Sequence, residues 1–384
     1  SEGKAVPQWV SDMIESGQKT FHDFDSGKKT FFDFNSKSME PQVLKNKSLN
    51  LITEKAKGNL VKNGWSASLV DIGDGVLCCE FHSILQSTLN PIDGSIMETL
   101  KFARDWTLEN KYKGLVISGD GKNFSAGANL NMILDFSERK DWDSLENVIN
   151  LMQSLMQELR FSPFPVVAAP FGLVLGGGFE TIGACDRIVA AAESYIGLVE
   201  VGVGLIPGAG GNLRMISRLT KKINTMVPGA FPIVQQAFET IGYAKVSFSA
   251  KQAQSYGYLQ KDDIIVVNRD HLLSVAKDTA LSMANEYKTP EIESFKLPGV
   301  SGRLAIKTMV KGLVKTKKLS EHDALIAEKL SYVLTGGDKG GPFSPVDEQY
   351  LLDIEREAFV SLCGEQKTID RIKYMLEKGK PLRN

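Results

Sequence analysis

Short apolar runs alternate with segments of helical spacing through the middle of the chain. Residues 68–72 and 76–81 surround an Asp74-Gly75 turn and are rich in apolar side chains, which predicts two strands. The spacing of apolar residues predicts helices over 96–108 and 142–159. Further strands are predicted at residues 115–118, 166–170 and 187–191. Because strands and helices alternate, the pattern predicts an α/β fold with a mostly parallel sheet.

The two ends of the chain show other patterns. Residues 19–24 and 29–34 form a short repeat around Asp25-Ser26-Gly27, which predicts a β-hairpin. Residues 36–66 are polar and basic, and they predict a connector with one short helix. Beyond Arg214 the pattern predicts mainly helices. Candidate N-terminal caps are Ser249, Asn268, Ser320, Ser344 and Thr368.

The composition argues against several classes of function. The 384 residues include 45 basic and 46 acidic side chains, a net charge of −1, so no basic field favours nucleic acid or a membrane surface. The apolar stretches are far shorter than the roughly 20 residues that span a bilayer. Four scattered histidines and four cysteines without CxxC spacing favour neither a metal site nor a disulfide framework. We therefore expect a cytoplasmic protein with reduced thiols, no metal and no membrane contact.

Two glutamates beside glycine clusters are the strongest candidates for chemistry. Glu180 follows the triple glycine at residues 176–178, and Glu200 precedes Gly202 and Gly204. Glycine lets a backbone approach a ligand closely, and a helix that starts in such a turn presents free N–H groups. Free donors and two carboxylates can stabilise an oxyanion while protons move. Taken singly, Glu180 could instead be a glutamate favoured by a helix dipole, and Glu200 a solvated loop charge.

Three glycine-containing motifs follow one another along the chain. They are FSAGANL at residues 124–130, PVVAAPFGLVLGGGFE at 165–180 and GLVEVGVGLIPGAGG at 197–211. In order and spacing they resemble the crotonase family, the enoyl-CoA hydratases and isomerases. The resemblance covers residues 67–260 and implies a core of repeated ββα turns wound into a spiral, followed by a helical C-terminal region.

The flanking segments resemble parts of a larger protein. Residues 1–65 are similar to the tail of a 3-hydroxyacyl-CoA dehydrogenase. The run SPVDEQYLLDIEREAFVSL and the ending GKPLRN resemble the end of fused dehydrogenase/hydratase proteins of β-oxidation. The implied division is a tail over 1–65, a crotonase core over 66–260 and a helical region over 261–384. NAD would then belong to a dehydrogenase domain of the full-length protein. No cofactor is expected on this chain, since residues 1–65 contain no glycine fingerprint for a dinucleotide.

The resemblance also implies roles for individual residues. An acyl-CoA thioester would be the substrate, with its carbonyl held by the backbone N–H groups of Ala128 and Gly177. Glu180 and Glu200 would hold one water, the first as base and the second as acid, although the pair can titrate as a unit. Gly208 matches a turn glycine whose amide lies near that water.

Recognition of CoA is where the chain departs from the family pattern. Ala126 is expected to offer its carbonyl to the adenine edge. The loop at residues 82–91 lacks the basic residue common in the family, and Asn90 is its remaining match. Asn129 stands where the family usually has Asp. Side chains that could line an acyl pocket are Met132, Phe136, Met152, Leu155 and Met156, although plain helical core is the stronger interpretation of their spacing.

Three functions fit these observations. The leading hypothesis is an enoyl-CoA hydratase that adds water to a trans-2-enoyl thioester. The first alternative is a double-bond isomerase, which needs only one proton shuttle, and the presence of Glu180 argues against it. The second is a non-catalytic module that docks the dehydrogenase half. Family members are usually trimers or dimers of trimers, so a homo-oligomer is also expected.

Overall fold

The chain folds around one large, mostly parallel sheet with helices on both sides. The structure is a computed structural model, and it describes residues 6–25, 28–42, 48–84, 86–119, 121–223 and 229–384. Within these ranges no helix is both long and apolar enough to cross a membrane.

A small antiparallel sheet precedes the core. The N-terminal elements are helix α1 (Gln8–Glu15), strands β1 (His22–Asp25), β2 (Lys28–Asp33) and β3 (Ser38–Pro41), and helix α2 (Leu51–Ala56). Strand β1 pairs antiparallel with β2, and β2 with β3, so the predicted hairpin is confirmed. The predicted turn residues Ser26 and Gly27 lie outside the described residues. Helix α2 is the short helix expected in the connector, and Asn50 caps it by accepting from the Thr53 N–H.

A seven-stranded sheet forms the centre of the molecule. Its strands are β4 (Leu60–Asn63), β5 (Ala67–Asp71), β6 (Val76–Phe81), β7 (Gly114–Gly119), β8 (Val166–Ala168), β10 (Arg187–Ala191) and β12 (Ile264–Val266). The chain between them also forms strands β9 (Gly172–Leu175) and β11 (Ser194–Gly197), which pair outside this sheet. The helices of this part are α3 (Gly94–Glu109), α4 (Leu130–Arg139), α5 (Trp142–Arg160), α6 (Gly177–Gly183), the 3₁₀ helix η1 (Glu200–Val203), α7 (Gly211–Ile223), α8 (Phe231–Gly242) and α9 (Ala250–Tyr256). The strand order is β12-β10-β8-β7-β6-β5-β4. The strands from β12 to β6 run parallel, and β6, β5 and β4 pair antiparallel. The predicted α/β class with a mostly parallel sheet is therefore confirmed.

A second, smaller layer of strand pairing lies beside the sheet and builds the spiral. Strands β9 and β11 pair in parallel, and isolated bridges join Ser125 to Val174 and Ile92 to Ala128. Each chain segment that leaves the large sheet thus makes a short pairing in this layer before its helix begins. This arrangement brings the loop containing Ala128, the start of α6 and the end of β11 to one place.

The C-terminal region is mainly helical and packs against the core. It contains the 3₁₀ helix η2 (Arg269–His271), α10 (Leu272–Ala284), β13 (Ser294–Phe295), α11 (Gly299–Lys315), α12 (Glu321–Leu334), β14 (Val346–Asp347), α13 (Glu348–Cys363) and α14 (Gln366–Lys378). Helix α13 packs on α5 and α7, and α14 packs on α4 and η1. The large sheet extends past the predicted core segment 66–260 at both ends, because β4 and β12 are its edge strands. The division into domains itself stays a prediction.

The predicted helix caps are only partly correct. Ser320 caps α12 with a reciprocal capping box to Asp323, and Ser249 caps α9. Ser344 is not a cap, because α13 begins at Glu348. The cap of α13 is Asp347, whose side chain accepts from the Tyr350 N–H. Thr368 is likewise not a cap but a buried residue inside α14, and its hydroxyl donates to the Gly204 carbonyl at 2.9 Å. A tertiary partner, which local sequence does not reveal, determines its role.

Replacing Ser320 tests this difference between the two serines. We expect Ser320→Ala to lower the free energy of unfolding by about 1 kcal/mol, because the Asp323 N–H loses its acceptor. Ser344→Ala is the matched control and should change it by less than about 0.5 kcal/mol, since that side chain is exposed. Urea unfolding followed by circular dichroism measures both. Equal losses in the two variants would contradict the assignment of the cap.

Candidate active site

Two backbone N–H groups lie close together where the loop at Ala128 meets the start of α6. Ile92 hydrogen-bonds to the residues on both sides of Ala128. Its N–H donates to the Gly127 carbonyl at 2.8 Å, and its carbonyl accepts from the Asn129 N–H at 3.2 Å. The Ala128 nitrogen lies 3.4 Å from the position that a Cβ on Gly177 would occupy. Neither the Ala128 nor the Gly177 N–H donates to an acceptor among the described residues. The structure therefore brings together the two amides that the sequence predicted.

Glycine is required where α6 begins. Gly176 has a φ of +49°, and a Cβ there would lie 2.9 Å from Glu200 Oε1. The Met152 methyl carbon lies 3.3 Å from the position of a Cβ on Gly177. Backbone, carboxylate and apolar side chain thus meet in close contact at the N-terminus of a helix, where the dipole favours negative charge.

Glu180 is buried in the first turn of α6, and a glycine loop anchors its carboxyl group. Its Oε1 accepts from the Ala209 N–H at 2.7 Å and the Gly211 N–H at 2.9 Å. Burial raises the pKa of Glu180 to about 7, although the amides of Ala209, Gly211 and Gly208 oppose the rise. The group can therefore exchange a proton near neutral pH.

Glu200 begins the 3₁₀ helix η1, and its Oε1 approaches Gly176, the residue before α6. Its Oε2 is shielded from solvent and has no hydrogen-bond partner within the described ranges. Burial, followed by the charges of Glu180 and Glu355, raises the pKa of Glu200 well above its ordinary value. Because the two carboxyl groups repel each other when both are ionised, the environment favours at least one proton on the pair.

Gly208 allows a close contact between its loop and α13. A Cβ at this position would lie 2.7 Å from the Phe359 ring. The Gly208 carbonyl accepts from Gln153 Nε2 at 2.9 Å, and the Gly208 amide opposes the rise in the pKa of Glu180. The glycine predicted from sequence therefore lies beside the first of the two carboxylates.

A third buried carboxyl group, which sequence reasoning missed, lies on the other side of this loop. Glu355 Oε1 accepts from the Gly210 N–H at 2.6 Å, and its Oε2 accepts from the Asn212 N–H and Nδ2 at 3.0 and 2.8 Å. Burial, followed by the charge of Glu180, raises the pKa of Glu355, and its hydrogen bonds oppose the rise. The sequence did hold a signal. Glu355 stands in the apolar stripe of α13, which also contains the buried Leu352 and Phe359.

The residues expected to recognise CoA have mixed placements. Ala126 is half-buried, its N–H donates to the Leu89 carbonyl at 2.7 Å, and its own carbonyl accepts nothing from the described part of the chain. Asn90 is fully buried and joins the Ser83 N–H to the Asn123 carbonyl, so it shapes the loop. The candidate acyl-pocket residues Met152, Leu155 and Met156 lie in the main hydrophobic core. Throughout the described ranges, no group of three or more His, Cys, Asp or Glu residues could hold a metal.

Comparison with solved structures agrees with the fold. An enoyl-CoA hydratase from Bacillus halodurans aligns with a TM-score of 0.53 at 19% identity, over 80% of this chain and 99% of that one. An enoyl-CoA hydratase/isomerase from Mycobacterium paratuberculosis aligns with a TM-score of 0.51 at 16% identity, over 80% and 98%. Residues 87–261 match the family model described as enoyl-CoA hydratase/isomerase. The chain therefore has a crotonase-like α/β fold with a helical C-terminal region.

Comparison with curated proteins adds relatives of different lengths. The chain is 42% identical over its whole length to a probable 3-hydroxyacyl-CoA dehydrogenase of Bacillus subtilis, of which it covers 47%. It is 28% identical to a putative fatty acid oxidation complex trifunctional enzyme of Rickettsia felis, over 88% of this chain and 44% of that protein. A probable enoyl-CoA hydratase of Bacillus subtilis is 31% identical over 42% of this chain and 62% of that protein. The chain thus spans about half the length of the first two relatives.

The raised pKa of Glu180 predicts a pH-dependent stability. Because the folded pKa of about 7 exceeds the ordinary value of 4.5, the group's stabilising contribution is complete below about pH 4.5 and is lost as pH rises through 7. The shift corresponds to about 3 kcal/mol over that window. Glu180→Gln should therefore lose less stability than the parent between pH 5 and 8. Denaturant unfolding at each pH measures this difference.

The control for this experiment is Glu357→Gln, which changes an exposed carboxyl group on α13. Its stability should follow the parent across the whole pH range. A parent-like slope in Glu180→Gln as well would contradict the raised pKa.

Proposed function

We propose that the chain is an enoyl-CoA hydratase acting on trans-2-enoyl-CoA thioesters. The observation that carries the proposal is the meeting of two carboxyl groups, Glu180 and Glu200, with the unpaired amides of Ala128 and Gly177. Water addition needs a base at the attacking oxygen, an acid at Cα and donors for the enolate oxygen. The site contains a candidate for each of these groups.

The proposed steps balance in protons and electrons. The Glu180 carboxylate takes a proton from water as the water oxygen bonds to Cβ of the substrate. The π electrons move toward Cα and the thioester oxygen, where the N–H groups of Ala128 and Gly177 stabilise the developing charge. Glu200 then gives its proton to Cα, and the product is a 3-hydroxyacyl thioester.

The assignment of base and acid rests on different local environments. Two amide donors hold Glu180 Oε1, and such bonds favour the ionised form that a base requires. Glu200 Oε2 has no partner in the described residues and faces the charge of Glu180, which favours the protonated form that an acid requires. These environments support Glu180 as base and Glu200 as acid.

The relatives support a place in a larger protein. Those named as a dehydrogenase and a trifunctional enzyme of fatty acid oxidation are about twice as long as this chain. We propose that the chain is the hydratase part of a β-oxidation protein whose dehydrogenase domain binds NAD and oxidises the 3-hydroxyacyl product. This chain itself would need the CoA thioester as substrate and no cofactor.

Replacing each carboxyl group by its amide tests the proposed chemistry. Glu180→Gln and Glu200→Gln should each lower hydration of crotonyl-CoA by about 100- to 10,000-fold, since an amide keeps the size but cannot exchange the proton. The double variant should lose much less than the product of the two, because both groups act on one water. Loss of the enoyl thioester absorbance measures the rate, with melting temperature as the check on folding.

The same variants separate hydratase from isomerase. A shift of a 3-enoyl to a 2-enoyl thioester needs one proton shuttle, which Glu200 alone would supply. Isomerase activity should therefore survive in Glu180→Gln and vanish in Glu200→Gln. Hydration by Glu180→Gln near the parent rate would contradict the two-carboxylate mechanism and favour the isomerase.

Two substitutions at Ala128 test the oxyanion site. Its N–H is the proposed contributor, so Ala128→Gly should keep much of the activity. Ala128→Pro removes the donor and should lower kcat about 100-fold or more. Equal activity of the two variants, with the proline variant folded by circular dichroism, would exclude Ala128 from the oxyanion site.

A further inference from the structure

The loop at residues 208–212 is suspended between two buried carboxyl groups. Ala209 and Gly211 donate their N–H groups to Glu180, whereas the two amides between and after them donate to Glu355. Glu180 comes from the core helix α6 and Glu355 from α13 in the C-terminal region. A displacement of either carboxyl group would displace the loop to which the other is hydrogen-bonded.

The hydrogen bonds of Glu355 favour its ionised form. Its two oxygens accept from three donors, which are the amide N–H groups of Gly210 and Asn212 and the Asn212 Nδ2. The two hydrogens of Gln153 Nε2 go to the Gly208 and Leu352 carbonyls at 2.9 and 3.0 Å. Only a carboxylate is acceptor-only, and a protonated carboxyl group would need an acceptor for its own O–H. Burial and the charge of Glu180 outweigh these bonds and raise the pKa of Glu355 to about 8, so Glu355 and Glu180 both exchange protons near neutral pH.

No cation forms an ion pair with Glu355 in the described part of the chain. Arg356, the next residue, directs its guanidinium to Gln153 Oε1, Asp353 and Glu146. When Glu355 is ionised, its field therefore acts on Glu180 and Glu200.

The other charged groups on the elements around α13 are engaged elsewhere. Arg214 of α7 pairs with Glu348 at 3.6 Å, and Arg371 of α14 pairs with Asp323 at 2.8 Å. His322 of α12 bonds to the Thr368 hydroxyl.

We propose that Glu355 is a positioning residue of the hydratase site, which holds the 208–212 loop opposite Glu180 and, when it is ionised, favours retention of a proton on the Glu180–Glu200 pair. The inference rests on the proposed function and extends it to the C-terminal region. Glu355 does not contact the reacting atoms. It acts through the loop and through its charge, and α13 thereby completes the active site from within the same chain.

This role has a consequence for the pH dependence of kcat/KM. A bell-shaped profile reports the base on its acidic limb and the acid on its basic limb. A negative charge nearby raises both pKa values, so removing it should move both limbs to lower pH. A residue that only supported the fold would lower the rate without moving either limb.

Two substitutions separate the effect of the Glu355 charge from the effect of its side-chain length. Glu355→Gln keeps the length and removes the charge, so both limbs for crotonyl-CoA hydration should move down by about one pH unit or more. Glu355→Asp keeps the charge but shortens the side chain. It should leave the limbs in place and lower kcat by up to about 100-fold, because the loop is no longer held in position.

Two further variants serve as matched controls on the same helix. Glu348→Gln changes a buried carboxyl group that accepts hydrogen bonds from the Glu293 backbone N–H and from Gln157 Nε2. Glu357→Gln changes an exposed carboxyl group. Glu348→Gln should lower the melting temperature, and neither control should move a limb. Unmoved limbs in a folded Glu355→Gln would overturn the proposal. If Glu355→Gln does not fold, a parent-like kcat in Glu355→Asp would overturn it instead.

A measurement without catalysis distinguishes this proposal from the proposed function. If the parent does not hydrate crotonyl-CoA, the function fails, and the claim about charge is decided by stability alone. Stability should fall less steeply between pH 5 and 8 in Glu355→Gln than in the parent, because one member of a mutually repelling buried cluster is gone. A parent-like slope would overturn the claim, and Glu348→Gln again provides the comparison.

Discussion

Burial of carboxyl groups against a glycine loop is the constraint on which the rest of the site depends. Glu180 and Glu355 can be buried because the amides of residues 209–212 satisfy their oxygens from opposite directions. Only small residues allow this loop to pass so closely. A Cβ at Gly208 would lie 2.7 Å from the Phe359 ring, and one at Gly211 would lie 3.0 Å from Glu180 Oε1. The same close packing that excludes water also raises the proton affinity of the carboxyl groups.

The crotonase-like spiral supplies the candidate site residues, and the C-terminal helices α13 and α14 pack against α7 and η1 beside them. The second layer of strand pairing brings the loop at Ala128 to the start of α6, where two amides remain unpaired within the described residues. Helix α14 then covers the 3₁₀ helix that contains Glu200, and Thr368 bonds to its end at Gly204. The chemistry we propose therefore depends on a region outside the segment that matches the family.

Much of the core could be predicted from local pattern. The strand at Val76–Phe81 and the start of α5 at Trp142 were predicted at the observed residues, since apolar periodicity is a local property. Long-range partners were less accessible. Thr368 has the chemistry of a cap but bonds to Gly204 instead. Glu355 lies 145 residues from Gly210 along the chain, so only folding reveals that they meet. The roles of Glu180, Glu200, Ala128, Gly177, Gly208 and Ala126 remain predictions, although the first five lie together.

The most direct test of the central claim is the reaction of the parent chain with crotonyl-CoA, followed by the enoyl thioester absorbance and by identification of the product. The account predicts loss of that absorbance and formation of a 3-hydroxyacyl thioester without added NAD or metal. An unchanged absorbance with crotonyl-CoA, together with conversion of a 3-enoyl to a 2-enoyl thioester, would contradict it.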